Sequence, residues 1–197
     1  KISCSKADLL NGVQIVYKAV PSKTTMTILE CILIEAYGEV IKLTANDTEL
    51  GIETCIKGNI EEEGDICVDA RMLQEIVRKL PENIINIETD SDFNFYIKCE
   101  KTNFNIKGRP ADEFSYIPQL DKDNPLVLSQ FTLKEVVRQT IFSTAPDTEA
   151  NKMMTGELFE IRGNKLRVAS LDGHRLSIRN IELRNDYEDK RVIVPSK

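Results

Sequence analysis

Four stretches of this chain begin alike. Ile2-Ser3-Cys4-Ser5, Ile66-Cys67-Val68-Asp69, Leu126-Val127-Leu128-Ser129 and Val192-Ile193-Val194-Pro195 are each a short strand-like run. Each ends in a residue suited to start a helix: Ser5, Asp69, Ser129 and Pro195. They begin at positions 2, 66, 126 and 192, which gives spacings of 64, 60 and 66 residues. A repeat of that period constrains the fold more than any composition figure, because each copy must be the same supersecondary unit.

Behind each of the first three runs lies a helix with apolar residues at 3.6-type spacing. The first is expected over 5–19, with Leu9, Leu10, Val13, Val16 and Tyr17 on its stripe. The second, over 69–79, carries Leu73, Ile76 and Val77, with Leu80 just past its end, and the third, over 132–144, carries Leu133, Val136, Val137 and Ile141. Alternating strand-like runs follow every helix. They cover 28–36, 40–45 and 50–56 in the first copy, 84–87, 93–97 and 104–106 in the second, and 158–161, 166–169 and 176–181 in the third. The unit is β-α-β-β-β, present three times with the start of a fourth. One helix cannot cover the apolar face of its own strands, so two units should pair into a domain. The expected class is α+β, with residues 1–117 as a first domain, 118–125 as a linker and 126–197 as the first part of a second. The stretch 108–125, rich in Pro and Asp and without periodicity, suits a connection. On this reading the sequence stops inside a domain, as expected of a fragment or of a longer chain partly represented.

No run of about 18 apolar residues is present, so no spanning helix is expected. The start, Lys1-Ile2-Ser3-Cys4, lacks a secretory pattern, and a cytoplasmic location is expected. The five cysteines, Cys4, Cys31, Cys55, Cys67 and Cys99, include no CxxC pair and are odd in number. They read as reduced small hydrophobes rather than a disulfide framework or zinc site. Net charge is −6, which by itself disfavours a nucleic-acid binder. Its distribution differs, however. Each helix carries +1, from Lys6, Lys18 and Asp8, from Arg71, Arg78, Lys79, Asp69 and Glu75, and from Lys134, Arg138 and Glu135. The rest of the chain therefore carries −9. Mildly basic helices in acidic surroundings can attract phosphates without reading sequence.

Several segments then resemble the bacterial sliding clamp family, the β subunit of DNA polymerase III. Leu171-Asp172-Gly173-His174-Arg175-Leu176 is similar to its T-D-G-H-R-L segment, with Leu171 in place of threonine. Thr44-Ala45-Asn46-Asp47-Thr48-Glu49 resembles its T-x-T-D-L-E turn. Val68-Asp69-Ala70-Arg71 with Leu80-Pro81 resembles its V-P-A-R…L-P helix. Pro110-Ala111-Asp112-Glu113-Phe114 is similar to the P-A-x-D-F segment, and residues 192–197 to the V-I-V-P-R-K strand. The order of the segments is that of the family.

The resemblance implies a DNA-clamp fold in which helices line a hole for double-stranded DNA and sheets lie outside. It implies a homodimeric ring that tethers the replicative polymerase, without catalysis, cofactor, metal or membrane. Lys23 and Arg71 match DNA-facing positions, as do Thr148, Lys152 and Met153 in a second loop where family members can carry aromatic residues. Leu171, Gly173, His174, Arg175 and Leu176, with Met154, match one wall of a pocket for short peptide motifs of the polymerase III alpha subunit and clamp-loader subunits. Phe104 and Ile106 match the subunit interface, on an edge strand open to pairing. Read without the resemblance, Phe104, Ile106 and Met154 are core residues and Arg71, Arg78 and Lys79 a solvated face. Two alternatives are a hydrolase using Asp172 and His174, although no G-x-S-x-G elbow is present, and a scaffold of the same fold without a DNA role.

Overall fold

The computed structural model describes residues 1–114, 123–146, 148–149 and 151–196. The chain divides into two compact units, Lys1–Gln119 and Leu120–Lys197.

The first unit runs β1 (Ile2–Ser5), α1 (Lys6–Val16), β2 (Cys31–Tyr37), β3 (Val40–Asn46), β4 (Gly51–Ile56), a two-residue β5 (Asn59–Ile60) and β6 (Gly64–Asp69). It continues with α2 (Ala70–Lys79), β7 (Ile84–Thr89), β8 (Asn94–Cys99) and β9 (Thr102–Lys107). The expected caps are in place. The Ser5 hydroxyl accepts from the Asp8 amide at 3.0 Å, and the Asp69 carboxylate from the Met72 amide at 2.7 Å. Each bond satisfies one of the donors that a helix leaves unpaired in its first turn.

The opening strands are exchanged between the repeats. β1 pairs antiparallel with β7 of the second copy, matching Ile2 to Ile87, while β6 pairs with β2 of the first, matching Cys31 to Asp69. The sheet orders are β4-β3-β2-β6 and β5-β1-β7-β8-β9. Neither copy completes a sheet alone, and α1 packs on α2 over a single core. That core joins Leu9, Val13, Leu73 and Val77 from the helices to Ile32, Leu43, Ile85 and Phe95 from the two sheets. Gly12 brings α1 close to the sheet, since a Cβ there would lie 2.5 Å from Cγ2 of Ile56.

β2 is buried on both faces, so its apolar residues are nearly continuous. Its second face, Cys31 and Leu33, meets Ile28, Leu29, Cys67, Ala111 and Phe114. Part of the stretch expected to connect domains therefore belongs to the first unit. Arg109 exchanges backbone hydrogen bonds with Cys67 at 3.0 and 2.9 Å, and Ala111 and Phe114 are buried. Loss of water from those two side chains, rather than any periodicity, fixes the segment. The expected linker, 118–125, falls largely outside the described residues.

The second unit contains α3 (Gln130–Thr140), β10 (Gly156–Leu171) and β11 (Leu176–Pro195). Ser129 caps α3 through the Thr132 amide at 3.0 Å, and the helix starts two residues earlier than its apolar stripe suggests. The expected strands 158–161 and 166–169 form one continuous ladder element, β10, whose register shifts around Gly163. The chain nonetheless folds back there. Glu160 and Arg167 approach to 3.6 Å, whereas seven residues of straight strand would separate them by about 23 Å. Gly163, at φ +54°, takes the left-handed conformation that this reversal needs. The expected fourth opening strand, 192–195, is the end of β11. It matches Pro195 to Gly156 and Val194 to Glu157, as β6 matches Asp69 to Cys31. Val136 of α3 packs on Ile161, Leu166, Val168 and Leu183.

Candidate functional site

The turn Asp172–Arg175 joins β10 to β11, and Leu171 and Leu176 face each other at its base. One Asp172 oxygen accepts the His174 and Arg175 amides at 3.0 and 3.1 Å, and the other accepts Nε of Arg175 at 2.9 Å. The amide of His174, then the Arg175 side chain and amide, hold the Asp172 carboxyl below its ordinary range. Gly173 sits at φ +86°, where a side chain would be strained. The hairpin thus presents His174 and Arg175 outward on a braced turn.

Five of the six residues expected to line a peptide pocket lie on this hairpin. Leu171, Gly173, His174, Arg175 and Leu176 are all exposed, Leu176 to 60%. Met154 is half-buried in a short 3-10 turn, Lys152–Met154, and its carbonyl accepts the Ala145 amide at 2.8 Å. Two residues of the same surface escaped the sequence reading. The Arg175 guanidinium lies 5.8 Å from the ring centre of Phe142, a ring 56% exposed. Ile178 alternates onto the face of Leu176 and is also exposed. Phe142 falls off the apolar stripe of α3, and that misplacement of a large aromatic was the available signal. Ser143 and Ser177, 2.6 Å apart through their hydroxyls, fasten the turn after α3 to β11.

These contacts leave nothing for hydrolysis at Asp172 and His174. The carboxylate is occupied by the turn, and it meets the backbone of His174 rather than the imidazole. Ser170 donates to the carbonyl of Thr140, and Ser177 is paired with Ser143. Three of the buried cysteines supply no nucleophile either. Burial pushes the thiols of Cys4 and Cys67 up to about 12 and that of Cys31 to about 11, so each remains protonated at neutral pH.

The expected DNA-facing residues are exposed, and the helices present less free positive charge than the sequence suggests. Lys23 lies in the loop before the 3-10 turn Thr27–Glu30. Arg71 stands in the first turn of α2 and approaches Glu75 at 3.5 Å. Arg71, Glu75 and Arg78 share the solvent face of α2, since they recur at helical spacing opposite Leu73 and Val77. Lys6, counted toward the charge of α1, is instead buried and bonded to Glu82 at 2.5 Å. Arg138 makes two hydrogen bonds to Glu135, at 3.1 and 2.8 Å. Thr148, Lys152 and Met153 are exposed on the loop between α3 and β10.

β9 is an edge strand of the five-stranded sheet. Its two expected interface residues face inward, however. Ile106 is 5% exposed and belongs to the core, and Phe104 packs partly against it. Alternation along β9 turns these even-numbered residues toward the helices, so pairing at this edge would use backbone groups and the outward residues.

One buried acid lies near the hairpin. Glu157 lies beside Thr140, whose hydroxyl also donates to the Val136 carbonyl at 2.8 Å. Burial pushes the carboxyl upward, opposed by the Thr140 bond. The folded pKa exceeds the unfolded one, so native protein holds a proton that unfolded chain releases, and stability falls as pH rises from the ordinary carboxylate range. Glu157→Gln should therefore stabilise the second unit by about 1 kcal/mol at pH 7, with the gain vanishing near pH 4. Urea unfolding of both proteins from pH 4 to 8 checks this, and parallel pH profiles would refute it.

Comparison with known proteins places the chain in a family. Residues 1–118 match the family model for the DNA polymerase III beta subunit, N-terminal domain, and residues 127–197 match the central domain. The Beta sliding clamp of Bacillus subtilis (strain 168) is 33% identical over 208 residues, covering 100% of this chain and 54% of its own length. That of Halalkalibacterium halodurans is 36% identical, covering 95% and 52%. Among solved structures, a putative DNA polymerase III beta subunit from Eubacterium rectale has a TM-score of 0.95 at 63% identity, covering 99% of this chain and 53% of that one. The Bacillus subtilis sliding clamp has a TM-score of 0.95 at 30% identity, covering 99% and 53%. The chain thus spans about half the length of the relatives that it matches. Two consecutive family matches, in order and over a fold of exchanged β-α-β-β-β repeats, establish that this chain belongs to the DNA polymerase III beta subunit family.

Proposed function

We propose that this chain is part of a DNA sliding clamp, a processivity factor that encircles duplex DNA and tethers a replicative polymerase without chemistry of its own. In this reading residues 1–117 are the N-terminal domain, 118–125 the linker and 126–197 the first part of the central domain. Lys23, Arg71, Thr148, Lys152 and Met153 face DNA. Met154 and the hairpin residues Leu171, Gly173, His174, Arg175 and Leu176 receive short peptide motifs of the polymerase alpha subunit and the clamp-loader subunits. The edge strand β9, with Phe104 and Ile106, belongs to the subunit interface of a cytoplasmic homodimer. The observation that carries the reading is the pair of family matches across nearly the whole chain. The weak, partly self-neutralised charge of the helices supports it, because a lining that held phosphates firmly could not slide.

The test is primer extension on a circular template with a matched polymerase and loader, using the protein at the full length of its relatives. It should lengthen the products made in one binding event. His174→Ala with Leu176→Ala should abolish that gain and weaken a peptide bearing a hydrophobic pair about tenfold or more, since one large side chain loses burial of roughly 1.5–3 kcal/mol. Both residues are exposed, so the fold should persist. Unaltered product length and peptide affinity in the folded double variant would remove the hairpin from this role.

A further inference from the structure

On the face of the second unit's sheet turned away from α3, three arginines converge on one carboxylate. Glu160 alternates with Phe159 and Ile161, which pack toward the core, so its side chain emerges on the opposite face. That side chain is only 8% exposed because guanidiniums cover it. Arg162 reaches it through Nη2 at 2.9 Å and Arg191 through Nε at 2.7 Å, while Nη1 of Arg167 lies 3.6 Å away. Arg167 is further fixed by its Nε bond to the Asn180 oxygen at 3.1 Å. Arg162 foremost, then Arg191, draw the Glu160 carboxyl below its ordinary range, so it is ionised. A cavity of about 440 Å³ opens beside Glu160, Arg162 and Arg167, lined also by Lys165, Asn180 and Glu182, and Arg191 lines a second one of about 350 Å³ together with Arg162.

One negative charge against three positive ones leaves the cluster at +2. Each guanidinium carries five N–H donors, and a carboxylate offers only two oxygens. Most donors therefore remain directed outward, and each arginine side chain is more than half exposed. A stability role alone needs no such excess, since one arginine suffices to pair one glutamate and exposed pairs contribute little. What Glu160 does is gather three planar forks on one face, with Arg162 and Arg167 beside the larger cavity and Arg162 and Arg191 beside the smaller. Such forks match phosphoryl oxygens two at a time.

We propose that this cluster is a binding site for a small ligand bearing two or more phosphoryl groups, with Arg162, Arg167 and Arg191 as the donors and Glu160 as the residue that positions them. The site does not depend on the clamp reading, because it uses a face and residues to which that reading gives no part. Linked phosphoryl groups fit better than a single one, because three spread cations exceed the needs of one oxyanion and the cavity falls in the size range of small-ligand sites.

Calorimetry at low ionic strength tests this with pyrophosphate, ADP and inorganic phosphate. Pyrophosphate should bind saturably at one site, at least tenfold more tightly than inorganic phosphate. ADP binding as tightly as pyrophosphate would identify the linked phosphoryl groups as the determinant, and tighter ADP binding would assign the site to nucleotides. Arg167→Gln should weaken pyrophosphate about tenfold, and Arg191→Lys, which keeps the charge but loses the fork, should weaken it several-fold. Glu160→Gln is the sharpest arm. It raises the net charge by one, yet it should weaken binding because the guanidiniums lose their common anchor. Thermal melting establishes that each variant is folded. Tighter or unchanged binding in folded Glu160→Gln, no saturable heat with pyrophosphate, or equal loss in a Lys134→Gln control on α3, at the other face of the same sheet, would overturn the proposal.

Discussion

Reversal of three charges, Lys23→Glu, Arg71→Glu and Lys152→Glu, is expected to lower affinity for duplex DNA by about a hundredfold or more at 50 mM salt. The expectation follows from the proposed clamp role and from counterion release. Each neutralised phosphate contributes about −0.9 to the slope of log affinity against log salt. Three contacts would give a slope near −2.7 in the starting protein and nearly zero in the variant. Exposure of all three side chains makes the substitutions tolerable to the fold. A second variant should move in the opposite direction. Glu75 lies 3.5 Å from Arg71, so Glu75→Gln should release that guanidinium and strengthen DNA binding several-fold. Fluorescence anisotropy with labelled duplexes of unrelated sequence, at several salt concentrations, measures both. Binding that ignores salt, or that prefers one base sequence, would count against a clamp lining, as would DNA affinity unmoved by the triple reversal.

Phe95→Ala should destabilise the first unit by about 3–5 kcal/mol, a large part of the stability of a typical domain. Phe95 lies in β8, within the second repeat, and is fully buried. Its core is shared with Ile32 and Leu43 of the first repeat's sheet and with both helices. The loss should therefore not stay local. Because β1 and β6 are exchanged between sheets, neither repeat retains a complete sheet when the other opens. Native-state hydrogen exchange should show amides of β2 and β3 losing protection together with those of β7 and β8. Loss confined to β7, β8 and β9 would mean that the repeats unfold independently, contrary to the shared core.

Much of this architecture was legible in the chain because it rests on local chemistry. Ser5, Asp69 and Ser129 each cap a helix, as their hydrogen-bonding side chains ahead of an apolar stripe imply. Strands β4, β7, β8 and β9 follow the alternation of their sequences, since a half-buried sheet face selects residues at a period of two. The turn at Asp172-Gly173 was likewise readable, because an aspartate that accepts following amides and a glycine at positive φ are both local requirements.

What the sequence alone could not decide depends on pairings between residues far apart in the chain. Exchange of the opening strands is such a pairing: Ile2 and Ile66 look alike, and only the shared core determines that β1 joins β7 while β6 joins β2. The fate of charge is another. Lys6 counts as a helix cation in the sequence, yet it is buried against Glu82, 76 residues away. Ile106 matches an interface position in sequence, yet its side chain fills the core beneath the exposed edge of β9. The convergence of Arg162, Arg167 and Arg191 on Glu160 required the reversal at Gly163 and the register of β11, neither of which any local pattern specifies. Local periodicity thus determined the elements, their caps and their repeat. Burial and long-range register, which depend on the whole chain's removal from water, decided which residues of each element meet a partner and which remain for function.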